Sequence, residues 1–258
     1  MKISYISDLH LDFHVPFTKN QIKFANRTIE FVRNLVESDK GNKDVLVIAG
    51  DISHLNKQSY LCIEEFSKHY KKVLIIYGNH DYYLISKNQS NKYKNNSANR
   101  VEELTEMLRS LSNVHVFTKD SPTFIYKDVK FGGLTMWYPL KTCEQQQFFQ
   151  EFSNDSKLIK GFNIEEAHEE DMETYGYLLQ DDVDIMISHV PVINIDSHSK
   201  YDGTSCYFTP VKDIDVSHWI FGHSHEQKIY RKPYGNFYMN CLGYPEEELE
   251  LTIKSFYL

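Results

Sequence analysis

No apolar run in the chain approaches 18 residues, so no helix is expected to span a membrane. No cysteines are paired in a CxxC motif. Cys62, Cys143, Cys206 and Cys241 lie far apart, which argues against a zinc ribbon or a disulfide framework. Reduced thiols in the cytoplasm fit better. The opening MKISYISDLH has neither the basic region nor the apolar stretch of a signal peptide, so secretion is not expected. Positive charge is not in surplus: 28 Lys and Arg face 36 Asp and Glu, for a formal net charge of −8. That balance argues against a broad nucleic-acid-binding face, while a local cleft remains open. No GxxxxGK[ST], GxSxG or HExxH motif occurs, which leaves three common chemistries without support. Neither an internal repeat nor a Pro/Gly linker divides the chain, and a single domain over residues 1–258 is expected.

What is present is an ordinary globular composition. Of 258 residues, 41% are hydrophobic and 25% charged, which excludes bulk disorder. A chain of this length buries roughly three quarters of its unfolded surface and needs no covalent staples. The twelve histidines stand out. Histidine is the commonest metal ligand and the usual acid–base group, so their positions matter most.

Three short apolar runs open the chain: Ile3 to Ser7, Val45 to Ala49 and Val73 to Tyr77. They read as buried strands. Ile22, Ile29, Val32 and Leu35 recur at helical spacing between the first two, and Ile63, Phe66 and Tyr70 between the second and third. Strand–helix alternation predicts parallel strands with right-handed crossovers. Another helix is expected near Val101 to Leu111. Short strands then crowd together at 114–117, 123–126 and 129–134, with a hairpin turn at Lys127–Asp128. Polar helices are expected within a helical insertion at 141–180, and strands at 183–188, 217–221, 227–231 and 237–240. Early crossovers and late hairpins predict an α/β protein with two sheets. The stretch 87–99, rich in Asn, Lys and Ser, reads as a flexible loop. The acidic cluster from Glu165 to Glu173 reads as a solvated helix face.

Each early strand runs into a polar cluster: Asp8-Leu9-His10, then Gly50-Asp51, then Gly78-Asn79-His80-Asp81. Later strands run into His189 and into Gly222-His223-Ser224-His225. Parallel neighbours bring their carboxyl ends together, where sites in open α/β sheets form. In extended chain, residues i and i+2 share a side, so Asp8 and His10 can face one object, as can His223 and His225. Taken singly, these are ordinary turn or core residues. Together they form a convergent set of carboxylate, imidazole and amide oxygen without thiolate. Such donors suit divalent Mn, Fe, Zn or Co, with Mn favoured. They are too many for one tetrahedral ion. They suit two ions bridged by a carboxylate, which can clamp the oxygens of an in-line displacement at phosphorus.

The ordered series DLH, GD, GNHD, H and GHSH resembles the calcineurin-like metallophosphoesterase superfamily, especially its small bacterial and phage-type members. The resemblance runs from Asp8 to His225. It implies a four-layer α-β-β-α sandwich of two mixed sheets, with the metal site at the carboxyl ends of strands. It implies Asp8, His10 and His225 on one metal, Asn79, His189 and His223 on the other, and Asp51 bridging both. His80 would assist the leaving group while a metal-bridging hydroxide attacks phosphorus.

Departures from the family narrow the substrate. In protein serine/threonine phosphatases the GD motif continues to an Asp that orients the catalytic histidine and to an Arg that holds phosphate. Here His54 and Leu55 stand in those places. A histidine there is similar to the SbcD-type nucleases, which suggests phosphodiesters and a catalytic role for His54. The opening also resembles the UDP-diacylglucosamine pyrophosphatases, but those carry Arg where this chain has His80. Asn240-Cys241-Leu242-Gly243-Tyr244 is similar to an Asn-Pro-Arg-Gly-Tyr segment of small members, without its Arg. Gly132-Gly133-Leu134 before Trp137 also resembles those members, and Trp137 reads as core rather than cleft. The expected activity is a metal-dependent phosphodiesterase. Alternatives are a phosphomonoesterase, a nucleotide pyrophosphatase, an SbcD-like nuclease taking nucleic acid as substrate, or a scaffold on the same fold.

Overall fold

The computed structural model describes residues 1–195, 207–212 and 214–258. Strands β1 (Lys2–Ile6), β2 (Val45–Ala49) and β3 (Lys72–Ile76) are buried on both faces apart from Lys72. Burial on both faces is why β2 and β3 read as continuous apolar runs. Helix α1 (Leu11–His14) is a single turn. Helices α2 (Gln21–Ser38) and α3 (Asn56–Ser67) make the crossovers between these strands. Both pairs are parallel, with Ile3 opposite Val45 and Leu46 opposite Val73. After α4 (Lys87–Lys92) and α5 (Ser97–Leu108), β4 (Val114–Val116) joins the far edge of β3.

The second sheet holds β5 (Thr123–Tyr126), β6 (Val129–Leu134), β7 (Ile185–Ser188), β8 (His218–Phe221), β9 (Gln227–Lys232) and β10 (Gly235–Asn240) in the order β5-β6-β7-β8-β10-β9. Its inner pairs are parallel and its two outer pairs are antiparallel. The expected hairpin turn is present: Lys127 and Asp128 take φ of 50° and 64°, as a two-residue turn requires. A final strand, β11 (Lys254–Tyr257), pairs antiparallel with β1 and closes the first sheet.

Three stacked cores make four layers. Ile3, Tyr5, Val47 and Leu74 of the first sheet meet Phe131, Ile185, Ile187 and Ile220 of the second. The alternate residues Ile6, Leu46, Ile48, Val73 and Ile75 meet Val32 and Leu35 of α2, Phe66 of α3 and Leu104 of α5. On the opposite face Met186, Trp219, Phe221 and Phe237 pack against Tyr175 and Leu178 of α8 (Ile164–Gln180). The α-β-β-α sandwich with two mixed sheets is therefore as expected.

One segment differs from expectation, and a second takes its place among the layers. Residues 87–99 hold α4 and the start of α5 rather than a loop. The Ser86 side chain caps α4 by accepting from Gln89 N, and Asn96 caps α5 by accepting from Ala98 N. α4 buries none of its residues, so it carries no apolar period to read. The expected insertion at 141–180 holds α6 (Cys143–Phe152), α7 (Asp155–Leu158) and α8, and α8 is the outer layer of the sandwich. Within its acidic cluster, Asp171 is not part of the solvated face. It accepts the backbone N–H of Trp137 at 2.8 Å, beside the left-handed Met136.

Gly133 of β6 packs directly on Phe117, which follows β4 of the first sheet. A Cβ on Gly133 would lie 2.4 Å from the phenyl ring. We expect Gly133→Ala to destabilise the fold by about 1–3 kcal/mol, as overpacked cores do, measured by urea denaturation.

Candidate metal centre

Five strands end at one place. β1 delivers Asp8 and His10, β2 Asp51, β3 Asn79 and His80, β7 His189, and β8 His223 and His225. The chain turns sharply to do so. Asp8, His10, Asp51, His223 and His225 are all left-handed, with φ between 39° and 72°. That conformation costs a non-glycine residue about 1–3 kcal/mol. Hydrogen bonds between the strand ends offset it. Asp8 N donates to Gly50 O at 3.0 Å, and His10 N donates to Asp51 O at 3.1 Å. His223 N donates to both Asp8 carboxylate oxygens at 3.0 Å. The approach is close enough to demand the motif glycines. A Cβ on Gly78 would lie 2.2 Å from Asp51 Oδ1, and one on Gly222 would lie 2.4 Å from Asp8 Oδ2.

The donor atoms face one another in two groups. His189 Nδ1 lies 2.8 Å from Ala49 O, so the ring proton sits there and Nε2 presents a lone pair. That lone pair faces Asn79 Oδ1 at 3.0 Å and His223 Nδ1 at 3.3 Å. Asn79 Nδ2 donates to Asp155 Oδ1 at 2.8 Å, which turns the amide oxygen inward. In the second group His225 Nδ1 lies 2.7 Å from Glu247 Oε2, so its Nε2 faces inward, 3.0 Å from His10 Nε2 and 3.6 Å from Asp8 Oδ1. Asp51 stands within reach of both groups. Its Oδ2 is 3.4 Å from His189 Nε2 and 3.9 Å from His10 Nε2.

Ring nitrogens, carboxylate oxygens and an amide oxygen so arranged converge on one place, where bound cations would satisfy their lone pairs together. The donor set therefore fits a pair of divalent cations. Asp8, His10 and His225, and likewise Asp8, Asp51 and His189, offer donor atoms within 4.8 Å of one another. The charge balance points the same way. Burial alone lowers His189, but the Asp51 and Asp8 charges outweigh it and push it up to about 10. Burial opposes the ionised Asp51, yet the imidazoles of His189 and His80 hold it well below the usual carboxylate range. Burial carries His10 down to about 4. The centre thus attracts positive charge, while burial keeps the His10 ring neutral, as a metal ligand must be.

A family model described as calcineurin-like phosphoesterase matches residues 1–227. The chain belongs to the calcineurin-like phosphoesterase family. Family membership makes it a metal-dependent phosphoesterase. An uncharacterized protein of Acanthamoeba polyphaga mimivirus is 22% identical, over 86% of this chain and 84% of its own length. The crystal structure of the phosphopantetheinyl hydrolase from Mycobacterium tuberculosis superposes with a TM-score of 0.68. It covers 95% of this chain and 90% of its own at 17% identity, which shows a shared fold.

In this phosphoesterase Asp8, His10, Asp51, Asn79, His80, His189, His223 and His225 lie together at the strand ends. His54 joins them: its Nε2 lies 3.0 Å from His80 Nδ1. Trp137 is buried against Tyr82 and Phe162 in the core beneath α8 and lines no part of the centre's cleft. His198 and Cys206 lie outside the described residues.

Apart from Asp81, which the GNHD cluster marks as a support, sequence reasoning missed the residues that hold these in place. Asp155 fixes Asn79 and is bonded by Tyr83 and Tyr138. Glu247 fixes His225, and Tyr244 stacks on His10 at 4.5 Å. Asp12 contacts His54. Asp81 accepts from the backbone of Asp51, Ile52 and Gly78 at 2.9–3.1 Å. Burial and then the Asp51 charge push its carboxyl up to about 6, against the pull of Arg100. Arg100 is fully buried and donates to the carbonyls of Ser53, His80, Asp81 and Tyr83. Arg100 had a readable signal too, a charge at i, i+4, i+8 spacing with the buried Leu104 and Leu108.

The centre opens into a cleft of about 400 Å³. Asp51, Asn79, His80, His223 and His225 form its floor, with Tyr244, Phe148, Phe152 and Tyr207 around them. We expect Arg100→Met to cost at least about 3 kcal/mol, because it strands several buried carbonyls worth about 1–3 kcal/mol each. Calorimetry on the variant should show that loss alongside weakened metal binding.

Proposed function

We propose that this phosphoesterase hydrolyses phosphodiesters at a centre of two divalent cations. Asp8, His10 and His225 hold the first and Asn79, His189 and His223 the second, with Asp51 shared. The observation that carries this reading is Asp51 Oδ2, which lies within 4 Å of a lone-pair nitrogen from each group. Two bound cations would acidify a water between them and clamp the attacking and leaving oxygens. His80 stands at the cleft floor beside them and supplies the leaving oxygen with a proton. Manganese is the favoured metal, since the ligands are carboxylates, imidazoles and an amide oxygen without thiolate.

The charge of the cleft supports a diester. Its described lining holds no Lys or Arg, while Glu247 and Asp155 are part of it. A monoester dianion gains least from such a wall, and a diester carries only one negative charge. A long polyanion is opposed by the same wall and by the net charge of −8, which weighs against a nuclease. The structural neighbour's name describes hydrolysis of a phosphopantetheinyl group, which agrees with phosphoester chemistry. The free thiols of Cys62, Cys143 and Cys241 suit a reducing compartment such as the cytoplasm.

Asp51→Asn should weaken both cation sites and abolish hydrolysis, whereas His80→Ala should keep its metal and lose about 10²–10⁴-fold in rate. Metal analysis beside initial rates separates the two. Full activity in the first variant, or metal loss in the second, overturns the assignment. With Mn²⁺ added, bis-p-nitrophenyl phosphate should be turned over with higher kcat/KM than p-nitrophenyl phosphate. The reverse order would mean a monoesterase, and cleavage of single-stranded DNA a nuclease.

A further inference from the structure

Asp12 sits in α1, and its carboxylate meets the loop after β2. Oδ1 accepts the backbone N–H of His54 at 3.1 Å, and Oδ2 lies 2.7 Å from His54 Nδ1. Two bonds to one residue fix both loop and ring. The ring is held from other sides as well. Tyr83 stacks on it at 5.5 Å with planes 9° apart, and Phe13 meets it at 5.8 Å. Gln89 Nε2 donates to His54 O at 2.7 Å. The opposite ring nitrogen, Nε2, is 3.0 Å from His80 Nδ1.

These contacts determine where the protons are. A carboxylate only accepts, so the proton of a neutral His54 is on Nδ1. Its Nε2 is then a lone pair, and His80 must donate Nδ1–H to it. With Nδ1–H engaged, Nε2 of His80 carries a proton toward the cleft only in the imidazolium form, which burial opposes and which the negative charge of an entering phosphoester favours. We propose that Asp12 is a positioning residue for catalysis: through the tautomer of His54, it sets His80 to deliver its Nε2 proton to the leaving oxygen. The step balances. A water oxygen bonds to phosphorus as the bond from phosphorus to the leaving oxygen breaks. That bond's electron pair stays on the leaving oxygen, which takes the His80 proton and departs as an alcohol. The proton lost by the water goes to solvent, and solvent reprotonates His80. Asp12 touches neither substrate nor cations, so its effect must pass through His54.

This inference rests on the phosphoesterase reading, and leaving-group dependence tests it apart from that reading. Methyl p-nitrophenyl phosphate and methyl phenyl phosphate differ in how much the departing oxygen needs a proton. In Mn²⁺-loaded enzyme, Asp12→Asn should keep its metal and widen the ratio of the two kcat values by about 10²-fold, with phenol release suffering more. In a His54→Phe background the same change should cost about twofold or less, because the path is already cut. Ring-¹⁵N histidine NMR of the metal-free protein should show His54 with its proton on Nδ1 in the wild type and not in Asp12→Asn. Equal losses on both substrates, loss of metal, a further large loss in the His54→Phe background, or a wild-type His54 protonated only on Nε2 would each overturn the proposal. If the wild type hydrolyses no diester, the diester reading fails, and the same ratio is read on phenyl and p-nitrophenyl phosphate.

Discussion

The Asp81 carboxylate ties the end of β2 to the end of β3, and the centre depends on that tie. Three backbone N–H groups converge on it, from Asp51, Ile52 and Gly78. They draw the two strand ends so close that neither Gly50 nor Gly78 has room for a Cβ. Asp51 is thereby forced into a left-handed turn, with its side chain aimed at histidines from both β1 and β7. A buried acid in such a place would repel Asp51. Arg100, bonded to the carbonyls on either side, keeps the arrangement neutral enough to persist. Strain and buried charge are concentrated here because the rest of the sandwich is conventionally packed and overdetermines the strand ends.

The fold was legible because its signals are local. β2 and β3 are apolar runs cut off by glycine, α2 carries a clean helical period, and the 127–128 turn announces its hairpin. α4 was not legible, because a helix with no buried face leaves only its Ser86 cap as a signal. β11 was missed for a related reason. It is an edge strand four residues long whose pairing partner lies at the other end of the chain.

The donor residues of the centre were legible because glycines and spacing mark them. Their supports were not. Asp12, Asp155 and Glu247 are single carboxylates, and the His54, Asn79 and His225 side chains they orient are more than twenty residues away in sequence. Nothing local distinguishes them from the surface acids of a chain with net charge −8. The same carboxylates explain why an acidic protein can host phosphate chemistry. Several of its acids are spent on orienting imidazoles and attracting cations, so the positive charge the substrate needs arrives with the metals.

The hydrogen bonds from His189 to Ala49 and from His223 to Asp8 cross from one sheet to the other. Their consequence is kinetic. The donor atoms come from opposite ends of the polypeptide, and no fragment that stops short of β8 contains both groups. The centre can assemble only once the two halves of the sandwich have found each other, and such long-range contacts are slow to form. Metal uptake then acts on a finished seam. Bound cations would hold the sheets shut from within, adding their binding energy to a junction that the chain has already formed.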